Sequence, residues 1–130
     1  MSIVARLSYV VKPETSVEAP EGNRVLDLVH LARQSLGDPG LEKEILRIYS
    51  DASHAYCGRV QSARNLDELK ISLHSLKGAS AGVGATFVAS AARAAEAELR
   101  ETGDVCAETR ADLAVTVEEV NTYISELLKG

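Results

Sequence analysis

Apolar residues recur at intervals of three and four from about residue 23 to the C-terminus, which is the period of amphipathic helices. No stretch after residue 22 alternates apolar and polar residues as a half-buried strand does. Hydrophobic residues make up 45% of the chain but aromatic residues only 4%, which favours a core of aliphatic side chains between packed helices. The pattern therefore predicts an all-α fold.

The first two predicted helices are separated by a glycine turn. The first is short, with Asn23 as its cap and Gly37 at its end. Asp38 then offers a second cap, and Pro39 fits the first position of a long helix that runs to about Arg64. The predicted buried positions are Leu26, Val29 and Leu36 in the first helix and Leu41, Ile45, Ile48, Ala52 and Ala55 in the second, with Tyr49, Tyr56 and Val60 beside them.

Two further glycines mark the end of the third predicted helix. Asn65 and Glu68 have the spacing of a capping box at its start, and Gly82 and Gly84 favour a tight turn after it. The predicted buried positions are Leu66, Leu69, Leu73, Leu76 and Ser80. This helix is the one that carries the candidate site.

The last two helices complete the predicted bundle. Residues 85–101 form the fourth, Gly103 closes it, and Asp104 is predicted to cap the fifth. The predicted apolar positions are Phe87, Val88, Ala91, Ala94, Ala95 and Leu99, followed by Leu113, Val117, Val120, Ile124 and Leu127. Short connections favour antiparallel neighbours, so residues 23–130 are predicted to form an antiparallel up-down four-helix bundle with a short extra N-terminal helix.

Residues 1–22 are predicted to be an N-terminal arm or linker. Residues 3–11 are mostly apolar, but Arg6 and Ser8 interrupt this stretch, and it is too short to span a bilayer and lacks the features of a secretory signal. Two prolines and several polar residues in 12–22 are typical of a linker. The interpretation is an extended or short helical arm that lies on the bundle, with an interaction tail as the alternative.

Charge and cysteine content limit the classes of partner. The net charge is -5 and no basic run occurs, which argues against a nucleic-acid partner. Cys57 and Cys106 lie 49 residues apart without the spacing of a metal site or a disulfide framework, so we expect a reducing, cytoplasmic compartment. A self-contained acidic bundle is expected to be a monomer that contacts no membrane.

His74 lies off the buried stripe of the third helix. At 3.6 residues per turn it is about 120° from the centre of the stripe, so its ring is predicted to reach solvent, with Lys70, Ile71, Lys77 and Gly78 one turn away. A lone exposed histidine is usually only solvated. A glycine inside a helix, however, costs about 1 kcal/mol relative to alanine, so Gly78 indicates that something approaches this surface closely.

These residues carry a resemblance to a known family. The string is His74-x-Leu76-Lys77-Gly78-x-Ser80-x-x-x-Gly84-Ala85. It resembles the motif of histidine-containing phosphotransfer (HPt) domains, the intermediate carriers of two-component phosphorelays, and the Gly-Asp turn between the first two helices is similar as well. The resemblance implies that His74 is the phosphoacceptor and that Lys77, Gly78, the small Ser80 and the closing Gly84 are the other motif residues. It also implies a four-helix bundle with the active histidine on its flank.

The chemistry of a phosphohistidine suits this set of residues. Neutral imidazole is a competent nucleophile at pH 7, because an unperturbed histidine has a pKa near 6.5. Lys77 is expected to offset the charge of the phosphoryl oxygens, with Lys70 assisting from the other side. Gly78 and the small Ala81 are expected to leave a shallow depression on the helix surface, into which the active site of a partner can fit. The exposed Ile71 is assigned to the surface that docks the partner.

The phosphoryl donor must come from elsewhere. The chain has no GxxxxGK[ST] loop, no Gly-rich nucleotide lid and no acidic cluster suited to Mg²⁺, so it is interpreted as a carrier, not an enzyme, with no cofactor of its own. The resemblance implies receiver domains as partners, each bringing an aspartyl phosphate and a bound Mg²⁺. Phosphoryl groups would pass from the receiver of a hybrid histidine kinase to His74 and then to the receiver of a response regulator.

Two alternatives remain open at the level of sequence. The chain could be a helical adaptor that binds receiver or kinase domains through the same face without phosphorylation, or a detached module of a larger kinase. Some members of the family use a Gln on the following helix, whereas this chain has Arg93 and Glu96 in that region. His30 and His54 lack a following Lys-Gly pair and are interpreted as surface or hydrogen-bonded histidines.

Overall fold

The computed structural model describes residues 25–129, and these residues form five helices joined by short turns. In chain order the helices are α1 (Leu28–Ser35), α2 (Pro39–Ser62), α3 (Leu66–Val83), α4 (Thr86–Thr102) and α5 (Ala107–Lys129). No strand occurs within residues 25–129, so the predicted all-α fold is confirmed. The predicted arm over residues 1–22 and the predicted Asn23 cap lie outside the described residues.

The four long helices pack as a ring. Helix α3 contacts α2 and α4, α5 contacts the same two helices from the other side, and the short α1 lies against α2 and α3. The predicted four-helix bundle with an extra N-terminal helix is therefore confirmed. Across residues 25–129 no helix has the length and apolar character needed to cross a membrane.

Several predicted caps are confirmed by their hydrogen bonds. Asp38 Oδ1 accepts from the Leu41 amide at 3.1 Å, and Asn65 Oδ1 accepts from the Glu68 amide at 2.8 Å. Gly103 closes α4 in the left-handed conformation, with φ of 83°. The Asp38 and Asn65 side chains pair backbone amides that would otherwise be unpaired at the helix starts.

Two helix starts differ from the prediction. Asp27 caps α1, because its Oδ1 accepts from the His30 amide at 3.0 Å. Asp104 does not cap α5, because the helix begins three residues later. The Asp104 carboxylate instead accepts hydrogen bonds from the Val105 amide at 2.8 Å and from the Arg110 guanidinium at 3.0 Å. Cys106 directly precedes α5, and its amide donates to Glu98. The sequence showed a capping residue after Gly103 but not how many residues the turn would use.

The buried stripe of α2 is also different from the prediction. The residues that are buried there are Glu42, Leu46, Tyr49, Ser53, Cys57 and Val60. The predicted stripe lies to one side of them, and its members Leu41 and Ile48 are 42% and 60% exposed. Both stripes have helical spacing. The buried stripe was not recognised because it includes the polar residues Glu42 and Ser53. Four other positions that were predicted to be buried are exposed, namely Val29, Leu36, Leu66 and Ala94. All five predicted positions of α5 are buried.

Buried hydrogen bonds fix α2 against its neighbours. The Tyr49 hydroxyl lies 2.8 Å from Ser80 Oγ of α3, and Asn121 Nδ2 of α5 donates to Ser53 Oγ at 3.0 Å. Burial raises the pKa of Tyr49 to about 12, so its hydroxyl stays protonated at neutral pH. Because Ser80 faces α2 in the core, the opposite side of α3 is turned towards solvent.

Candidate functional site

The solvent-facing side of α3 carries His74 in the middle of the helix. Its side chain is 73% exposed, as its position off the buried stripe predicts. The buried residues Leu73 and Leu76 flank it in sequence and anchor this turn of the helix in the core. The imidazole is thus presented on a rigid element while its ring remains accessible.

Helix α4 places a carboxylate beside this ring. Glu96 Oε2 lies 3.5 Å from His74 Nδ1, and Glu96 Oε1 lies 2.8 Å from the Lys77 ammonium. The distance to the imidazole is longer than an ordinary hydrogen bond, and the contact with Lys77 is an ion pair without hydrogen-bond alignment. One carboxylate, itself only 12% exposed, therefore interacts with both the histidine and the lysine of the motif.

This geometry distinguishes the two nitrogens of the imidazole. A carboxylate near Nδ1 favours the tautomer with the proton on that atom, which leaves the lone pair on Nε2. The Lys77 side chain is 29% exposed, and its ammonium group contacts the same carboxylate that lies near the ring. The arrangement suits a nucleophile that must accept an anionic group.

Gly78 has no packing reason to be glycine. A Cβ built at this position meets no atom within 4 Å, although a helical glycine lowers stability relative to alanine. Ile71 is 65% exposed on the same outward side of α3, and Ala81 is exposed one turn after Lys77 and two turns after His74. The surface around His74 is therefore open on the outward side of α3.

The structure does not bring Ser80 and Gly84 to this surface. Ser80 is fully buried against Tyr49, and Gly84 ends α3 in the left-handed conformation with φ of 81°. A Cβ on Gly84 would lie 2.9 Å from Asp27 Cβ, and the Asp27 amide donates to the Gly84 carbonyl at 2.8 Å. These two motif residues shape the packing of α3 against α2 and the junction with α1.

Lys70 lies in a groove on the α4 side of His74. The groove has a volume of about 350 Å³ and is lined by Leu66, Asp67, Lys70, Glu96, Leu99, Arg100 and Gly103. Glu96 belongs both to this groove and to the contacts with His74 and Lys77. The α4 side of His74 is therefore charged, with cations from both helices. Arg93, the other candidate residue of the following helix, is exposed on α4.

The remaining histidines and cysteines are set apart from His74. His30 Nε2 lies 2.9 Å from the Gly82 carbonyl, and His54 is exposed on α2. Cys57 is buried and Cys106 is exposed near Glu98. Among residues 25–129 no three histidine, cysteine or acidic side chains are grouped so as to hold a metal ion.

The double contact of Glu96 is not predicted from the sequence. Glu96 is recognisable there as a residue of the following helix, but its contacts with Lys77 and His74 are not. The antiparallel register of α3 and α4 could have indicated this contact. Because the turn at Gly84 is short, residues at similar distances along the chain before and after it lie opposite each other. His74 and Glu96 are such a pair.

A family model identifies the larger part of the chain. The model described as the Hpt domain matches residues 41–130, which is 90 of the 130 residues. The matched region includes α2 from Leu41 onwards and all of α3 and α4, and therefore His74, Lys77 and Glu96. Comparison with curated proteins and with solved structures gives no match.

Proposed function

This chain belongs to the Hpt domain family, and on that premise we propose that His74 accepts a phosphoryl group from a receiver-domain aspartyl phosphate and passes it to a second receiver. Members of the family carry phosphoryl groups on histidine in phosphorelays and interact with receiver domains. The observation that carries the proposal is the exposed imidazole of His74 beside the Lys77–Glu96 pair. The first receiver would belong to a hybrid histidine kinase and the second to a response regulator.

The proposed transfer makes one bond and breaks one. The Nε2 lone pair of His74 attacks phosphorus, the N–P bond forms, and the P–O bond to the donor aspartate breaks with release of its carboxylate. The reverse process at a second receiver returns the histidine to its neutral form. Transfer of this kind depends mainly on positioning and on charge stabilisation, which Lys77 provides here together with the Mg²⁺ expected in the receiver.

Glu96 is proposed to assist from the other side of the ring. When Nε2 bonds to phosphorus while Nδ1 keeps its proton, the imidazole becomes cationic. A carboxylate 3.5 Å from Nδ1 stabilises that charge and holds the proton on the correct nitrogen. The same carboxylate keeps the Lys77 ammonium near the ring before the phosphoryl group arrives.

Replacing Glu96 with glutamine is expected to slow phosphoryl transfer to His74 by about tenfold, because the cationic ring loses its counter-charge. Rapid-quench measurement of transfer from a phosphorylated receiver gives the rate. Glu101→Gln is the matched control, since Glu101 is an exposed residue near the end of the same helix. Equal transfer rates for Glu96→Gln and wild type would show that the Glu96 carboxylate has no role in transfer.

Replacing Gly78 with alanine is expected to have opposite effects on stability and transfer. The free energy of unfolding should rise by about 0.5–1 kcal/mol, because the new methyl group enters open space and alanine favours the helix. Transfer from a receiver should slow by about tenfold, since the partner can no longer approach as closely. Gly58→Ala on α2 is the control, because Gly58 is also helical, exposed and free of neighbours within 4 Å. A faster or unchanged transfer rate in Gly78→Ala would exclude a role in access.

A two-receiver relay tests the proposed function. One receiver is phosphorylated with radiolabelled acetyl phosphate, freed of donor and mixed with this chain and an unphosphorylated second receiver of different size. The label should move to this chain and then to the second receiver, and it should not move when the chain is omitted. If no receiver of a varied set transfers label to the folded chain, the adaptor function is favoured instead.

A further inference from the structure

The groove between the start of α3 and the end of α4 lies beside His74 but does not include it. Its two sides are formed by Leu66 and Lys70 of α3 and by Leu99 and Arg100 of α4. Its volume of about 350 Å³ is within the range of small-molecule sites. Lys70 lies about 6 Å along α3 from His74, which is one helical turn. A molecule held in the groove would therefore lie next to the imidazole and leave it uncovered.

The walls of the groove are apolar between the charged side chains. Leu66 is 57% exposed, and Leu99 is partly buried against the core of the bundle. Gly103 lies at the end of the groove away from His74, and a Cβ built on it meets no atom within 4 Å, so this end is open. The two leucines thus offer aliphatic surface to the apolar part of a ligand.

Two cations at the groove have no partner in the described part of the chain. Lys70 and Arg100 are both exposed. Neither makes an ion pair or a side-chain hydrogen bond with any residue in 25–129. Because one belongs to α3 and the other to α4, their charges meet across the groove.

The carboxylates of the groove do not cancel these two charges. Glu96 closes the groove on the side of His74, and its Oε1 lies 2.8 Å from the Lys77 ammonium. Asp67 is exposed in the first turn of α3, where the helix N-terminus stabilises a negative charge. With Lys77 included, three cations face two carboxylates. The groove is therefore positive on a chain whose net charge is -5.

We propose that this groove binds a small organic anion, whose apolar body lies between Leu66 and Leu99 and whose carboxylate, sulfonate or phosphate lies between Lys70 and Arg100. Unpaired cations on two facing helices attract an anion and repel a cation. The Arg100 guanidinium is planar and can donate two parallel hydrogen bonds to such a group. The site needs no phosphoryl group on His74, so it is independent of the proposed function.

Fluorescence titration of the full chain with 1-anilinonaphthalene-8-sulfonate tests the site. This probe joins an aromatic body to one sulfonate, and its emission rises when the rings leave water. We expect saturable binding of one probe per chain, with a Kd that rises with salt because the contact is charged. Circular dichroism of the same sample shows that the chain is folded, since loosely packed states also bind the probe. Several probes per chain, or binding that does not saturate, would overturn the proposal.

Leu66→Glu places a negative charge in the groove at a position that tolerates it. Leu66 is the first residue of α3, and a carboxylate is favoured at a helix N-terminus. The Kd for the probe should rise by about tenfold or more because like charges repel. Val115→Glu is the matched control, since Val115 is 56% exposed on α5, outside the groove, and its Kd should equal that of wild type. A wild-type Kd in Leu66→Glu would overturn the proposal.

Arg100→Gln tests the charge of the groove separately from its shape. The Kd for the probe should rise by about fivefold, since a charge-assisted contact is lost while the apolar walls remain. Arg93→Gln is the matched control, because Arg93 is an exposed cation of the same helix that does not line the groove. An equal rise in both variants would mean that the probe responds to the general charge of α4, which would contradict a defined site.

Competition between naphthalene derivatives tests the class of ligand. The anions 1-naphthoate, 1-naphthyl phosphate and 1-naphthalenesulfonate should each displace the probe. The cation 1-naphthylmethylammonium has the same apolar body and should not displace it at the same concentration. Displacement by this cation would show that the groove does not select an anion and would overturn the proposal.

The position of the bound anion can be mapped on the wild-type chain. In nitrogen–proton NMR spectra, titration with 1-naphthyl phosphate should shift the backbone amides of residues 66–70 and 99–103 most. Shifts centred on the exposed Ile48 of α2 would place the ligand on the apolar stripe of that helix. That result would overturn the proposal even if binding were saturable.

Discussion

Replacing His74 with glutamine is expected to abolish phosphorylation of this chain by a receiver. Glutamine keeps a polar side chain at the position but has no basic nitrogen lone pair, so no N–P bond can form. The fold should be unaffected, because the histidine side chain is 73% exposed and makes only a long contact with Glu96. Radiolabel transfer and circular dichroism on the same preparation measure both effects.

His54→Gln is the control for loss of a histidine. His54 is exposed on α2 and has no lysine-glycine pair after it, so its replacement should leave transfer at the wild-type rate. Persistent labelling of His74→Gln would mean that another group accepts the phosphoryl. Loss of label in both variants would point to a general effect of histidine removal and not to a unique acceptor.

Replacing Gly84 with alanine is expected to cause a large loss of stability. Gly84 has φ of 81°, a left-handed conformation that costs other residues about 1–2 kcal/mol. A Cβ there would also lie 2.9 Å from Asp27 Cβ and 3.0 Å from the Asp27 carbonyl oxygen, and relief of such overlap costs about 1–3 kcal/mol. Denaturant unfolding should therefore show a decrease of about 2–5 kcal/mol in the free energy of unfolding.

Gly103→Ala separates the two causes. Gly103 has nearly the same φ, 83°, but a Cβ at that position meets no atom within 4 Å. Only the conformational cost applies, so its free energy of unfolding should fall by about 1–2 kcal/mol. If both variants lose the same amount, the close approach of Asp27 to Gly84 contributes nothing to the need for glycine.

Much of the fold follows from local chemistry. The caps at Asp38 and Asn65 and the glycine at 103 were predicted because each acts through hydrogen bonds or dihedral angles within a few residues. The buried face of α5 was predicted because its large aliphatic residues share one stripe. Where polar residues are buried, as Glu42 and Ser53 are in α2, hydrophobic periodicity selects the wrong stripe, since those residues are accommodated only by tertiary contacts.

In the candidate site, too, the features set within one helix were predictable and those set by tertiary contacts were not. The exposure of His74 was predictable because it depends only on position relative to the stripe of its own helix. The Lys77–Glu96 pair was not predicted, since it requires the register between α3 and α4. The motif residues Ser80 and Gly84 acquire their structural explanation only from Tyr49 and Asp27, which lie 31 and 57 positions earlier in the chain.

Mapping the phosphoryl group on wild-type protein tests the central claim most directly. The chain is phosphorylated by a receiver, and the adduct is examined by mass spectrometry of its peptides and by phosphorus and nitrogen NMR of the intact protein. We predict one phosphoryl group per chain, bonded to Nε2 of His74, stable in base and lost in acid. A phosphoryl group on another residue, or none on a chain shown to be folded, would contradict the account.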